Sequence, residues 1–452
     1  MRAITQYLKN RGFSCVDDGW YTQIALWQKW YQGKVPAFHC YRQYNGRRKV
    51  SRTRKTLGMA KTISEDWANL ALNEKVEIAV SKPALHRQIQ EVLKENNFRV
   101  RANQLLELAF ALGTGAFVEY LEGERVRIDY IRAGLIYPLA WDNGEITACA
   151  FGSERTVKTE RQITLSVHRR DEGGRYVVEN HLFRRNGSIL TELPLPEGTE
   201  AEVRTGSPVP LFQIIRPNLV NNVDLACPMG ISVFANAIDQ LEGLDLVYDS
   251  YQNEFRLGKK RITVPVTMAR MMMEEDGSAA PVFDDNDTEF YAIPAVEGGD
   301  NKIVEHNMEL RYEAHEAAIK SGLALLSYKC GMGDDRYSFD HGQVKTAKEV
   351  VSDKSDLFQN LKKHELLLEH ALVGLVEAVA SLLGAKPGFE VAVRFDDSII
   401  EDTDSIRQRD LQEVRDGIMQ KWEFRVKWYG ETEEQAKAMC TREPEADAFG
   451  LA

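Results

Sequence analysis

Cysteine and histidine, the residues that most often ligate metals or act as nucleophile and base, are scattered along this chain. The six cysteines and nine histidines form no Cys-x-x-Cys pair and no Cys/His cluster, so the ligand spacing of a zinc site is missing from the sequence. We therefore expect the thiols to be reduced and mostly buried, and we expect neither a metal nor another cofactor.

No catalytic motif stands out either. Gly113-Thr114-Gly115 resembles part of a phosphate-binding loop, but no Gly-Lys-Ser/Thr follows it, and the predicted order is helix to strand rather than strand to helix. We interpret these residues as the turn that ends a helix. The sequence thus predicts that the chain is not an enzyme. The minor alternative is an enzyme whose scattered histidines and carboxylates are brought together by folding.

The N-terminal segment could bind phosphate. Residues 1–61 contain thirteen Lys or Arg and two Asp, a balance of +11, so the rest of the chain carries −22 within the net charge of −11. Interleaved aromatic and basic side chains stack on bases and bind phosphate, but they also fit an aromatic-anchored helix or a solvated basic loop. The cations of this basic patch are Arg47, Arg48, Lys49, Arg52, Arg54 and Lys55.

This charge asymmetry predicts an acidic partner for the basic patch and an acidic body elsewhere. Phosphate affinity comes mainly from Lys and Arg. An acidic body therefore argues against static wrapping of DNA, but it permits DNA to pass without sticking. A nucleic-acid-binding module that uses the basic patch is the alternative function.

Two further stretches suggest contacts with a ligand or partner. Lys345 and Lys348 lie in the first turns of a predicted helix, where cations oppose the helix dipole, so they are interpreted as placed for an external anion or as solvated side chains. The run Met271-Met272-Met273 forms an adaptable apolar surface that suits a protein partner, or else part of a local core.

The elements that position these residues are predicted to form an α+β chain, with helices before an antiparallel meander. A capping box at Thr62 and Glu65 predicts the start of a helix, and Asn143-Gly144 predicts a hairpin. Further helices are predicted at residues 86–96, 101–112, 230–257, 308–327, 343–383, 405–421 and 431–439, and strands at 117–121, 125–131, 162–169, 176–184, 188–193, 262–266, 289–293 and 389–395.

The longest predicted element covers residues 343–383 and ends at Gly384. Its apolar residues recur at three- and four-residue spacing, and the helix would span roughly 60 Å at about 1.5 Å per residue. Glu369, His370 and Glu377 interrupt its most apolar part, so we expect no membrane span. The N-terminus has no apolar run suited to a signal peptide, which predicts synthesis in a cytoplasm.

Several stretches, in this order, resemble portal proteins of tailed bacteriophages, in the subgroup from phages and prophages of Gram-positive bacteria. They are residues 27–38 (WQKWYQGKVPAF), 58–73 (GMAKTISEDWANLALN), 109–118 (AFALGTGAFV), 230–265 (beginning GISVFANAIDQLEG) and 345–365 (KTAKEVVSDKSDLFQNLKKHE).

This resemblance implies a portal-protein fold. It has a helical wing with an antiparallel sheet, paired stem helices, a small clip and a long helix leading to a helical crown. By position the parts are a wing at 1–229, stem helices at 230–257 and 308–330, a clip at 258–307, a tunnel loop at 331–342, a long helix and returning strand at 343–400, and a crown with a tail at 401–452.

The resemblance also implies partners and sites. Portal subunits form a ring of about twelve copies with a heterologous, closed interface, located at one capsid vertex and assembled in the host cytoplasm. The implied partners are double-stranded DNA in the channel, the large terminase subunit, a head-tail adaptor protein, and the major capsid and scaffolding proteins. The implied channel and tunnel-loop residues are Asp334, Asp335, Arg336, Tyr337, His341, Lys345 and Lys348, and the implied clip contacts are Met271, Met272, Met273 and Phe283.

Overall fold

The computed structural model describes residues 2–44, 48–187, 189–265, 270–273, 279–282, 290–294, 302–337, 355–395 and 403–440. Several sequence-based predictions lie outside these residues. They concern Arg47, Phe283, His341, Lys345, Lys348, the first part of the long helix and the C-terminal tail.

The N-terminal part is mainly helical, with two short strands that form a hairpin and a third strand further on. Its elements are α1 (Arg2–Asn10), α2 (Asp18–Tyr31), α3 (Pro36–His39), β1 (Cys40–Tyr44), β2 (Lys49–Thr53), α4 (Met59–Ala71), β3 (Glu77–Val80), α5 (Pro83–Glu95) and α6 (Phe98–Leu112). In α2, Trp20, Ile24 and Trp27 recur at helical spacing and are buried. The tryptophans of the basic segment therefore anchor a helix in the core, which is one of the alternatives that the sequence left open.

The predicted capping box of α4 is wrong. The helix begins at Met59 after Gly58, which has a positive φ of 73°, so Thr62 and Glu65 lie inside the helix rather than at its start. Ser64, also inside the helix, donates to the backbone oxygen of Ala60 instead. Glycine reaches the left-handed region without the steric cost of a Cβ, and this moves the start of the helix to Met59.

The middle of the chain is the predicted antiparallel meander. Its strands are β4 (Gly115–Glu122), β5 (Arg125–Arg132), β6 (Ile136–Asp142), β7 (Glu145–Val157), β8 (Glu160–Arg170), β9 (Tyr176–Asn186), β10 (Ile189–Leu193), β11 (Glu202–Arg204) and β12 (Phe212–Ile215). The larger sheet has the order β10-β9-β8-β7-β6, with β11 also paired to β9, and the smaller sheet has the order β12-β4-β5. Asn143 and Gly144 join β6 to β7 with φ values of 48° and 77°, which confirms the predicted hairpin.

A helical hairpin follows the sheets. Its long arms are α7 (Ile238–Leu257) and α8 (Tyr312–Lys329), and the strands between them are β13 (Arg261–Pro265), β14 (Arg270–Met273), β15 (Ala279–Val282), β16 (Phe290–Ile293) and β17 (Val304–His306). Strand β13 pairs with β16 in parallel and with β17 antiparallel. The helix predicted to start at Gly230 begins at Ile238 instead, because the backbone of Val233 is bonded to Phe110 and a 3-10 turn precedes α7.

The C-terminal part consists of α9 (Ser355–Leu382), β18 (Val391–Arg394), α10 (Thr403–Arg415), α11 (Lys421–Tyr429) and α12 (Glu433–Cys440). Strand β18 pairs antiparallel with β3, so the chain returns to the N-terminal part after α9. Helix α9 packs on β12 and β4. Gly384, with a φ of 72°, follows α9, as predicted for a residue that ends a helix. The structure thus confirms an α+β chain of helices and mainly antiparallel sheets.

Candidate functional surfaces

The predicted tunnel loop is held by hydrogen bonds at the point where it begins. The indole nitrogen of Trp67, on α4, donates to the backbone oxygen of Cys330 over 3.1 Å. The side-chain amide of Asn360, on α9, donates to the backbone oxygen of Gly331 over 3.0 Å. The next side chain, Met332, is buried. The loop therefore leaves α8 through a region held by both α4 and α9.

Tyr337 fixes a second point of the same loop. Its hydroxyl donates to Asp66 over 3.0 Å, and the Arg336 guanidinium lies 3.5 Å from the same carboxylate. Burial and the Asp66 carboxylate raise the pKa of the Tyr337 hydroxyl, so the phenol stays protonated as a donor. Asp334 and Asp335 are exposed between these two anchors. The loop thus presents acidic side chains to solvent, while the aromatic side chain holds it to α4.

Three of the four predicted clip contacts, the methionines, lie in a small strand pair. Met271, Met272 and Met273 belong to β14, which pairs antiparallel with β15. The sequence did not predict this pair; the short strands that it predicted at 262–266 and 289–293 correspond to β13 and β16.

The basic patch divides into anchoring and exposed cations. The Arg54 guanidinium lies 4.7 Å from the ring centroids of both Phe38 and Tyr41, and it also donates to the backbone oxygen of Phe38. Such an arrangement uses the cation within the fold. Arg52 is half-buried, and no described residue bonds its buried Nε. Arg54 therefore acts mainly in structure.

The remaining cations of the hairpin formed by β1 and β2 face solvent. Arg42, Arg48 and Lys49 are exposed, and neither Arg42 nor Lys49 forms an ion pair with any residue that the structure describes. In the antiparallel register Arg42 faces Ser51 and Tyr44 faces Lys49, so Arg42 and Lys49 share one face of the ribbon. We call this face the basic face. Arg42 was not among the residues of the basic patch predicted from the sequence.

The base of this hairpin is bonded to α7. The Nε2 atom of buried His39 lies 3.1 Å from Asp245 Oδ2, and the other Asp245 oxygen accepts the backbone N–H of Leu57 over 2.8 Å. Asp249, one turn later, accepts the backbone N–H of Lys55 over 2.9 Å. Both carboxylates are buried. Two of the acidic residues of α7 thus bind the N-terminal segment and do not form a free acidic face.

The two arms of the helical hairpin are joined near their far end. Both the side chain and the backbone N–H of Arg311 donate to Glu254, with a shortest distance of 2.8 Å. These hydrogen bonds lower the pKa of Glu254 to about 2. Nearer the sheets, Ser250 Oγ lies 3.0 Å from His315 Nε2.

The outer surface of the helical hairpin exposes large apolar side chains. On α8, Leu325 and Tyr328 are 51% and 65% exposed, and Ala314 and Ala317 are also exposed. Single exposed apolar residues are ordinary, but several on one element indicate an interaction surface. The other large members of this set are Leu246, Phe255, Leu257 and Tyr312.

A backbone crossing fixes the helical hairpin to the sheets. A Cβ atom on Gly113 would collide with the backbone oxygen of Gly230, and one on Gly230 would collide with the backbone oxygen of Gly113. Thr114 Oγ1 accepts the backbone N–H of Gly230 over 3.1 Å. Gly113 has a φ of 87° and ends α6, as predicted. Gly113 therefore belongs to a structural crossing rather than to a phosphate site.

The described residues contain neither a candidate metal site nor a candidate membrane-spanning helix. No group of three His, Cys, Asp or Glu residues there could hold a metal ion. No helix there has both the length and the apolar character needed to cross a bilayer. All six cysteines are free thiols, and Cys149, Cys227 and Cys330 are buried.

Sequence reasoning missed Glu119 and the pairing of His39 with Asp245. Glu119 lies on β4 and is fully buried, and no other described residue bonds its carboxylate oxygens. Burial raises the pKa of this carboxyl well above its ordinary value. A single Glu inside the apolar strand sequence AFVEYL was the available signal for Glu119. Nothing in the sequence relates His39 to a residue 206 positions away.

Comparison with known families gives one match. Residues 17–439 match the family described as "Phage portal protein, SPP1 Gp6-like". No curated protein matches the chain. The family match covers nearly the whole chain, including the sheets, the helical hairpin, α9 and the C-terminal helices.

Proposed function

Because the chain belongs to the phage portal protein family, we propose that it forms a ring of about twelve copies at one capsid vertex, through which double-stranded DNA passes during packaging and ejection. Proteins of this family are structural components of the virion that serve genome packaging and connect head to tail. The observation that carries the proposal is the family match over residues 17–439.

The exposed apolar surface of the helical hairpin supports a ring. A closed ring of identical subunits needs two different faces on each copy, one complementary to the other. The arms α7 and α8 project from the backbone crossing at Gly113 and Gly230, with Leu325 and Tyr328 exposed. These side chains supply the apolar area that a neighbouring copy would cover.

We assign the parts of the subunit by this proposal. The helices and sheets up to residue 229 form the wing, α7 and α8 the stem, residues 258–307 the clip, and residues 331–342 the tunnel loop. The long helix leads to a crown made by α10 to α12. The clip, with Met271, Met272, Met273 and Phe283, is proposed to contact the large terminase subunit and the head-tail adaptor protein.

The channel residues follow from the same assignment. Asp334, Asp335, Arg336 and Tyr337, with His341, Lys345 and Lys348, are proposed to face DNA. Exposed Asp334 and Asp335 repel phosphate, and sparse cations give weak contacts, so DNA would slide rather than be held. The major capsid and scaffolding proteins are proposed to bind the outside of the ring, and assembly takes place in the host cytoplasm.

Electron microscopy of the purified protein, with mass photometry, tests the proposal. We expect closed rings with a central opening and a mass near twelve times 51.3 kDa. A preparation that stays monomeric or dimeric across a range of protein and salt concentrations contradicts the proposal, as do rings without an opening. Turnover of ATP by the isolated chain would contradict a purely structural role.

A further inference from the structure

We propose that the basic face of the β1–β2 hairpin binds the acidic end of α8 on the next copy of the chain. This inference rests on the proposed ring. It assigns an intersubunit contact to Arg42 and Lys49 on one side and to Glu309 and Glu313 on the other.

The first argument is the position of the N-terminal segment around α7. Successive residues of an α-helix are rotated by about 100°. Ser250 and Glu254 meet α8, whereas Asp245 and Asp249 bind residues 55–57. These two groups lie roughly 140° apart around the helix axis. The N-terminal segment and α8 therefore occupy different, roughly opposite sides of α7.

A row of identical subunits then brings the two surfaces together. Each copy presents the N-terminal segment on one side of its helical hairpin and α8 on the other. Placing such units side by side in a heterologous ring sets α8 of one copy beside the N-terminal segment of the next. The N-terminal side and the α8 side of a subunit differ from each other, as a heterologous closed ring requires.

The second argument is the position of the β1–β2 hairpin along the axis of α7. Leu57 is bonded to Asp245 and Lys55 to Asp249. Two extended residues advance about 6.6 Å, and four helical residues advance about 6 Å, so this segment runs alongside α7. Going from Leu57 back to Lys55, the segment moves from Asp245 to Asp249. Continued in the same direction to Thr53, it approaches the C-terminal end of α7 at Leu257. The hairpin is therefore expected near that end.

Two acidic residues, Glu313 in the first turn of α8 and Glu309 just before that helix, lie near the same end of α7. Arg311 bonds Glu254 near the end of α7, which places Glu309 and Glu313 beside that end as well. Both are exposed. Glu313 lies in the first turn of α8, and Glu309 lies three residues before the helix begins at Tyr312. The hydroxyl of the neighbouring Tyr312 donates to the Glu313 carboxylate over 3.1 Å.

The third argument is charge. Residues 1–61 carry +11 and the rest of the chain −22. Within its own subunit the basic face has no carboxylate partner among the described residues, although the same segment uses Asp245 and Asp249 at its base. An ion-pair contact between copies would steer assembly and fix its register more than it would add affinity.

Charge reversal with rescue tests the contact. We expect the variant R42E/K49E to need about tenfold or more protein to form rings at physiological salt, and E309K/E313K to show the same loss. The four-fold variant that combines both reversals should regain rings. Mass photometry over a concentration series measures this. The control R87E/K94E makes the same charge change on exposed positions of α5, and should assemble like the unaltered chain.

Each result decides between alternatives. Rings of R42E/K49E that form at the same concentration as the unaltered chain overturn the inference but leave the proposed function intact. Loss of rings without rescue by the four-fold variant also overturns it, because the acidic partner then lies elsewhere. A drop in affinity for a 30-bp DNA duplex with normal assembly would assign the basic face to DNA. An unaltered chain that forms no rings defeats both proposals.

A cross-link gives a second measurement that does not depend on charge. In a chain with the exposed thiols removed by Cys40→Ser and Cys440→Ser, R42C and E313C are introduced together. Oxidation should yield covalent ladders of the subunit on denaturing gels. Ladders no stronger than those of a control with R87C and E313C contradict the contact.

Discussion

The buried carboxyl groups of Asp245, Asp249 and Glu119 fall into two classes. Two accept hydrogen bonds from the backbone, and the third is protonated. Asp245 and Asp249 accept backbone N–H groups of residues 55–57, so each carboxylate has hydrogen bonds that replace lost hydration. Glu119 has no such donor among the residues described. Because burial disfavours its charged form, it is protonated in the folded chain at pH values where an exposed Glu is ionised.

Replacement of Glu119 by Gln is expected to stabilise the subunit above pH 5. The folded pKa is raised above the unfolded pKa, so the unfolded chain ionises first as pH rises, and the wild-type stability falls from the ordinary Glu pKa upward. The variant E119Q lacks this loss and should gain on the order of 1–3 kcal/mol at pH 8. Thermal unfolding of the subunit between pH 4 and pH 8 measures the gain.

The gain from E119Q should shrink toward pH 4, where both states of the wild type bind the proton. E124Q, which changes an exposed carboxylate in the turn after β4, serves as the control and should leave the unfolding temperature unchanged at every pH. A stability difference between E119Q and wild type that does not vary with pH would contradict a neutral Glu119.

Replacement of Glu254 by Gln is expected to loosen the far end of the helical hairpin at neutral pH. Arg311 lowers the pKa of Glu254 to about 2, so the stabilisation is present above the ordinary Glu pKa and is lost as pH falls toward 2. Hydrogen exchange of the last turn of α7 should be faster in E254Q at pH 7. E316Q, which removes an exposed pair with Lys320 on α8, should change it little. Equal protection in E254Q and wild type would argue against the pair.

At the scale of elements, the helical hairpin is positioned by a place where two backbones touch. Gly113 and Gly230 are close enough that neither can carry a Cβ, and Val233 N donates to Phe110 O over 2.9 Å. The residues before α7 are therefore bonded to the end of α6 instead of continuing a helix. This explains why α7 begins at Ile238 rather than near Gly230.

Substitution of Gly230 by Ala should therefore be severely destabilising. The new methyl would overlap the backbone of Gly113, which cannot move without shifting α6 and β4. We expect a loss of about 3 kcal/mol or more, seen as a lower unfolding temperature and a lower soluble yield. G243A is the matched control. It lies inside α7 with open space around it, and should be neutral or stabilising by up to about 1 kcal/mol. Similar behaviour of the two variants would contradict the crossing.

Long-range pairing also decides which residues of the loop after α8 are held. Tyr337 bonds Asp66 across the fold, and Asn360 bonds Gly331. The resemblance implied a loop at residues 331–342 before a long helix, but nothing in the sequence showed that α4 and α9 hold its first half. This attachment depends on how three distant elements pack, whereas the glycines that bound the loop are a local feature.

At the scale of the whole molecule, the exposed helical hairpin and the basic hairpin are two surfaces that the proposed ring would cover. In that ring the apolar side chains on α8, and the cations of the basic face that form no ion pair among the described residues, would both have partners on neighbouring copies. The family assignment and these surfaces agree on a structural assembly, and the acidic balance of the chain outside residues 1–61 suits a channel that does not hold DNA.

Introducing charge at Leu325 and Tyr328 should block ring formation without unfolding the subunit. Both side chains are more than half exposed, so L325D/Y328D leaves the core intact but puts carboxylates into the apolar contact between copies. Mass photometry should show monomers, and circular dichroism a native helix content. V100D changes an equally exposed apolar residue on α6 and should still assemble. Rings of L325D/Y328D at wild-type concentration would exclude this surface from the interface.

The sequence by itself determined the identity of most helices and strands, because apolar spacing and turn residues are properties of a few neighbouring positions. It determined the Asn143-Gly144 hairpin, the end of α6 at Gly113 and the end of α9 before Gly384. Only the tertiary structure decided that His39 meets Asp245, that Gly113 touches Gly230, and that Glu119 is buried without a donor from another described residue. Those contacts join residues far apart in the chain, and their formation depends on the packing of all the intervening elements at once.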